Sequence, residues 1–105
     1  MRVYIKENSW LARLAAYKLN VKTCAIVIGS TIHLYNASKS SFISNTTWLR
    51  HEICHVNQWK KHGYIYFLFH YLWLSFLHGY WRNPYEMEAR NAESDLTILN
   101  NIELN

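Results

Sequence analysis

Residues 51 to 55 read His51-Glu52-Ile53-Cys54-His55, an H-E-x-x-H pattern. On a helix, side chains four apart share one face, one turn apart. Two imidazoles so placed can converge on one metal ion. Zinc accepts histidine nitrogens at about 2.0–2.1 Å. Glu52 is offset by one residue. It can reach a zinc-bound water without ligating the metal, and it can take a proton as that water attacks a carbonyl. The chemistry these residues suit is metal-assisted hydrolysis.

A catalytic zinc needs a third protein ligand and an open position. The segment Asn83-Pro84-Tyr85-Glu86-Met87-Glu88-Ala89-Arg90 offers two carboxylates, Glu86 and Glu88. On a helix they lie about 200° apart, so only one can face the motif. Glu86 shares a face with Ala89, Arg90 and Glu93, and small Ala89 permits close helix approach. Asn83-x-x-Glu86 is also a capping-box spacing, in which the glutamate bonds back to the cap amide. Glu88 suits solvent or a supporting role.

His51-Glu52-x-x-His55 followed by Glu86-x-x-Ala89 resembles the gluzincin metallopeptidases. The E-x-x-A step is similar to that of the HtpX-type membrane peptidases and the ImmA/IrrE-like phage-regulator peptidases. The small size is similar to that of the minigluzincins. The likeness spans roughly residues 24 to 95. It implies a zincin-like fold, Zn²⁺ held by His51, His55 and Glu86, and Glu52 as the base. Many relatives carry Asp or Asn one residue after the alanine, where this chain has Arg90. Support for a motif histidine would then come from Glu93 or Asp95.

Other groups have weaker patterns. A peptidase needs a donor to the developing oxyanion, and His78, Tyr80 and Arg82 precede the Glu86 segment. His62, His70 and His78 recur every eight residues and read as surface or core histidines. Cys54 reads as a small core residue. Gln58 and Trp59 follow the motif by one turn and should support its packing.

The elements that must position these groups form an α+β pattern. Asn8-Ser9 caps a first helix through Leu19. Cys24–Ile28 and Thr31–Tyr35 are β-type runs joined by Gly29-Ser30, a hairpin signal. Residues 36–45 read as loop. Thr46 or Thr47 would cap the central motif helix, ending at Gly63. Tyr64 to His78 forms the next helix, ended by Gly79. Asn83-Pro84 starts the last, with proline at its first position, running to about Leu99. Residues 100–105 read as a loose tail. In zincin-like folds an edge strand pairs with extended substrate, and Thr31–Asn36 is either that strand or part of an ordinary hairpin covering the core.

A chain of 105 residues fits a single domain over 1–105. The net charge of +4 is spread along the chain. With no basic run longer than Lys60-Lys61, it argues against nucleic acid as partner. Two cysteines, Cys24 and Cys54, are too few for a disulfide framework. Early charges interrupt any signal-peptide core, which favours the cytoplasm. Tyr64–Leu77 is the most apolar stretch, but its 14 residues fall short of the roughly 20 needed to span a bilayer. Peripheral membrane association is therefore the minor expectation. The favoured expectation is a zinc metallopeptidase acting on a peptide or protein. Its rival is a non-catalytic or latent zinc-binding domain serving as sensor or interaction module. In the latent form Glu103 or the terminal carboxylate would occupy the metal.

Overall fold

Gly29 sets the hairpin that faces the motif. Its φ of 64° lies where a Cβ is penalised, which suits glycine at the first loop position. The computed structural model describes all 105 residues as an α+β fold. In chain order the elements are β1 (Arg2–Lys6), α1 (Trp10–Leu19), β2 (Cys24–Ile28), β3 (Thr31–Tyr35), α2 (Lys39–Ser44), α3 (Thr46–His62), α4 (Tyr64–Arg82), α5 (Pro84–Ala92) and β4 (Glu103–Leu104).

The strands make one mixed sheet in the order β2-β3-β1-β4. The hairpin is antiparallel, while β1 runs parallel to both β3 and β4. The edge strand beside the motif helix is therefore β2. The expected edge, Thr31–Asn36, lies inside the sheet because β1 covers its free side. Strand β1 was not expected. Its partners are distant in sequence, at Thr31–His33 and Glu103–Leu104, and its one local signal is the short β-type run Val3-Tyr4-Ile5.

Helix α3 is the central element. Leu49, Ile53 and Val56 recur at helical spacing and pack with Val3, Ile32, Leu34 and Phe42 in the main core. Further along, Trp59 packs with Phe67 and Tyr85 in a second cluster. The indole N–H of Trp59 donates to Val27 O at 3.1 Å, tying α3 to the edge strand. Asn45 caps α3 rather than Thr46 or Thr47; its side chain accepts from Trp48 N. Helix α2 replaces part of the expected loop. Ser38 caps it, and its Phe42 is fully buried with Trp48 edge-on at 4.8 Å.

Gly79 breaks α4 with φ 81° and ψ 166°, close to the expected end at His78. Asn83 caps α5 with Pro84 in the first turn. That helix ends at Ala92, short of Leu99. Asp95 accepts from Thr97 N and Oγ1, a side-chain-closed turn that competes with the helix. Residues 100–105 are not loose. Glu103 N and Asn105 N donate to Met1 O and Val3 O, and β4 closes the sheet against β1.

Candidate metal centre

Helices α3 and α5 pack together with Ala89 fully buried. This close approach sets Glu86 opposite the motif. The Nε2 atoms of His51 and His55 each lie 3.2 Å from Glu86 Oε1. His55 Nε2 is also 3.1 Å from Oε2. The three residues can hold a metal ion, with all donor atoms within 4.8 Å of one another. Ligands at 2.0–2.1 Å in a tetrahedron stand about 3.3–3.4 Å apart, so the observed histidine–glutamate spacings fit within a few tenths.

The outward nitrogens fix which atoms face inward. Gln58 Nε2 donates to Glu88 Oε1 at 2.7 Å and to Tyr85 O at 3.0 Å. Its Oε1 is thereby left to accept from His55 Nδ1 at 2.7 Å. His51 Nδ1 donates to Glu93 Oε2 at 2.8 Å. With protons on both Nδ1 atoms, both Nε2 lone pairs point at Glu86. Acceptors that close require a cation between them, a metal or a proton.

The ionisation pattern follows. Burial pushes the His51 pKa down, but the hydrogen bonds that Glu86 and Glu93 accept from it and the charge of Glu52 outweigh it, raising it to about 9. Burial pushes His55 down as well, but its hydrogen bond to Glu86, the charges of Glu52 and Glu86 and the hydrogen bond to Gln58 raise it. Burial pushes Glu86 up, yet the two imidazoles and Tyr71 hold it well below the usual carboxylate range. Glu52 is buried, and that burial raises its pKa to about 7 despite both histidines. A base poised near neutrality is matched to proton transfer at physiological pH.

Two cavities meet at the site. One, of about 310 Å³, is mostly apolar; its walls include β2, Phe67 and Leu72 with Glu52, His55 and Glu86. The other, of about 660 Å³, is more polar and reaches His51, Glu52, Thr47 and Glu93. Glu52 and Tyr80 border both. The three-residue donor set thus faces open space, with no fourth protein ligand in the group.

The candidate supports separate cleanly. Glu93 contacts His51, and Arg50 donates to Glu93 O at 3.0 Å, which anchors the end of α5. Asp95 is exposed and engaged with Thr97, away from the motif. Arg90 stacks on Trp81 at 3.8 Å. Glu86 does not cap α5: Asn83 N donates to Tyr80 O instead. Tyr80 borders both cavities, and its phenol is raised by burial and then by the charges of Glu86 and Glu52. His78 and Arg82 are exposed and line neither cavity. The tail cannot supply a ligand, because β4 lies at the sheet edge opposite β2 and Glu103 pairs with Arg2 at 3.5 Å.

Two participants lay outside the sequence candidates for the site. Tyr71 O–H donates to Glu86 Oε2 at 2.6 Å. Its only sequence signal is a shared face with Phe67 and Leu74. Gln58, expected as packing support, orients His55; the i,i+3 spacing was the signal. Cys54 turns to Gln58 and Glu88, and burial, then Glu88, pushes its thiol up to about 12. It lies outside the three-donor group. Comparison with protein-family models, curated proteins and solved structures found no match. The functional argument therefore rests on the site alone.

Proposed function

We propose that this chain is a zinc-dependent hydrolase of the gluzincin kind that cleaves amide bonds in a peptide or protein. The observation that carries the reading is the convergence of His51, His55 and Glu86 on one point beside buried Glu52, with cavities on both sides. The donor set of two imidazoles and one carboxylate suits zinc and leaves a position free. A metal held there supplies Lewis acidity and lowers the pKa of water.

The chain's own residues do the rest. Glu52 takes the proton of the attacking water and returns it to the leaving amine. Tyr80, bordering both cavities, is placed to donate to the developing oxyanion. Strand β2 is the edge strand at the site; Trp59 occupies its outward carbonyl at Val27, so an extended substrate would pair its backbone with the part of the edge around Ala25. The apolar cavity would accept a large apolar side chain. The non-catalytic rival requires a closed metal site, and the three-donor group facing two cavities favours the hydrolase.

The test joins metal analysis with a peptide-library assay under chelator control. Glu52→Gln should retain zinc and lose at least about a hundredfold in kcat/KM. Cleavage by Glu52→Gln equal to the parent's would remove Glu52 from the mechanism. Zinc-loaded parent protein that cleaves nothing would favour the sensor reading.

A further inference from the structure

Helix α4 turns Phe67, its one buried residue, and Leu74 inward, yet its outer side is apolar too. Its inward stripe carries its hydrogen-bonding side chains: Tyr71 donates to Glu86, His70 pairs with the Tyr85 hydroxyl, and Ser75 accepts from Asn83. Its outward arc is Ile65, Tyr66, Phe69, Trp73, Phe76 and Leu77, each between 51% and 81% exposed. A helix on a water-facing surface carries charged and polar residues on that side. Leu68 and Leu72 extend the arc to the mouth of the apolar cavity. At about 200 Å² for a large apolar side chain, the arc leaves on the order of 1,000 Å² uncovered. The largest apolar patch on a typical monomer is about 300–600 Å².

Length and composition say how such a face is covered. No helix of the chain is long and apolar enough to cross a membrane. From Tyr64 to the break at Gly79 the helix measures about 22 Å, against about 30 Å of hydrocarbon. Tyr and Trp alternate with Leu and Phe along it, and those aromatic types settle at the headgroup level.

Charge selects the occupant. No Asp or Glu occurs between Glu52 and Glu86. Exposed Lys60 and Lys61 precede α4 and exposed Arg82 ends it. A second copy packed helix to helix, parallel or antiparallel, would set a positive end on a positive end. Anionic headgroups complement both ends at once. We propose that the outer face of α4 docks the protein on an anionic lipid bilayer, with the helix lying in the plane of the interface.

The docking needs no catalytic activity, so it stands or falls separately from the hydrolase reading. The full chain is sedimented with phosphatidylcholine vesicles, with and without about one-third phosphatidylserine. Its mass is measured in parallel without lipid. The expected result is a monomer that sediments with the anionic vesicles and is released by salt. Phe69→Glu with Phe76→Glu should abolish sedimentation. Lys60→Gln with Lys61→Gln should weaken binding to anionic vesicles about thirtyfold, from about fivefold per basic residue near the surface. Because the second pair leaves the apolar face intact, it keeps the test open should the first pair misfold. Recovery of the parent wholly in the supernatant overturns the proposal. So does a dimer that the phenylalanine substitutions dissociate while vesicle binding is absent, which would assign the face to self-association.

Discussion

Glu93 offers the sharpest test of the proposed metal centre. Its carboxylate accepts from His51 Nδ1 at 2.8 Å. That bond holds the imidazole with Nε2 toward Glu86 and makes it a better donor. Hydrogen bonds to a charged group contribute about 1.5–3 kcal/mol. The Glu93 side chain is 34% exposed, so screening places it near the low end. About 1.4 kcal/mol is tenfold in affinity. Glu93→Gln keeps an acceptor and loses the charge, so zinc affinity should fall about tenfold. Glu93→Ala removes the acceptor and should cost up to about a hundredfold, the upper range for such supporting residues. Asp95→Asn should change nothing, because Asp95 is exposed and bonded to Thr97. The assay is competition for zinc against a chromophoric chelator at fixed pH. Zinc affinity in Glu93→Ala within twofold of the parent would refute the reasoning. An equal loss in Asp95→Asn would do so too.

Further outcomes follow from the same geometry. In metal-free protein folded His51 keeps its proton to about 9, whereas an unfolded imidazole releases it near pH 6.5. The sign is that of a raised pKa: this contribution to stability is full below about pH 6.5 and is lost as pH rises to about 9. Urea melts of chelated protein should show the decline, and a flat profile would contradict it. Zinc affinity should rise over pH 7–9, because the metal displaces that proton; titration at three pH values measures it. Gly29→Ala should destabilise by about 1–2 kcal/mol. Its φ is +64° and a Cβ would stand 2.9 Å from the Tyr64 ring, so the urea midpoint should fall. Phe42→Ala should cost about 3–5 kcal/mol, because the ring is fully buried in the main core. Loss below 1 kcal/mol would mean that α2 does not anchor α3.

The motif helix, the hairpin and the proline-started α5 were legible because each is written in adjacent residues. Helical spacing alone joined His51 to His55, and Asn83-Pro84 marked a helix start. Strands β1 and β4 were not legible. Each buries few side chains and finds its partners across the chain, so pairing rather than local pattern makes them strands. Helix α2 was hidden by its serines, which usually favour turns; burial of Phe42 overrides that preference.

Within the site, sequence by itself determined the kind of donor and the i,i+4 geometry of the two imidazoles, since one helical turn dictates both. It left Glu86 torn between cap and ligand, and Glu93 level with Asp95. Tertiary structure sets where each of these carboxylates lies. The α3–α5 packing over Ala89 turns Glu86 onto the imidazoles, and the end of α5 at Ala92 swings Glu93 toward His51 and Asp95 away from it. Long-range packing also left an apolar side of α4 facing out, because the residues it turns to the neighbouring helices are Phe67, Tyr71, His70 and Ser75. Spacing along one helix specifies what can bind. Only contact between helices specifies which carboxylate arrives, because that depends on distances the chain closes in space.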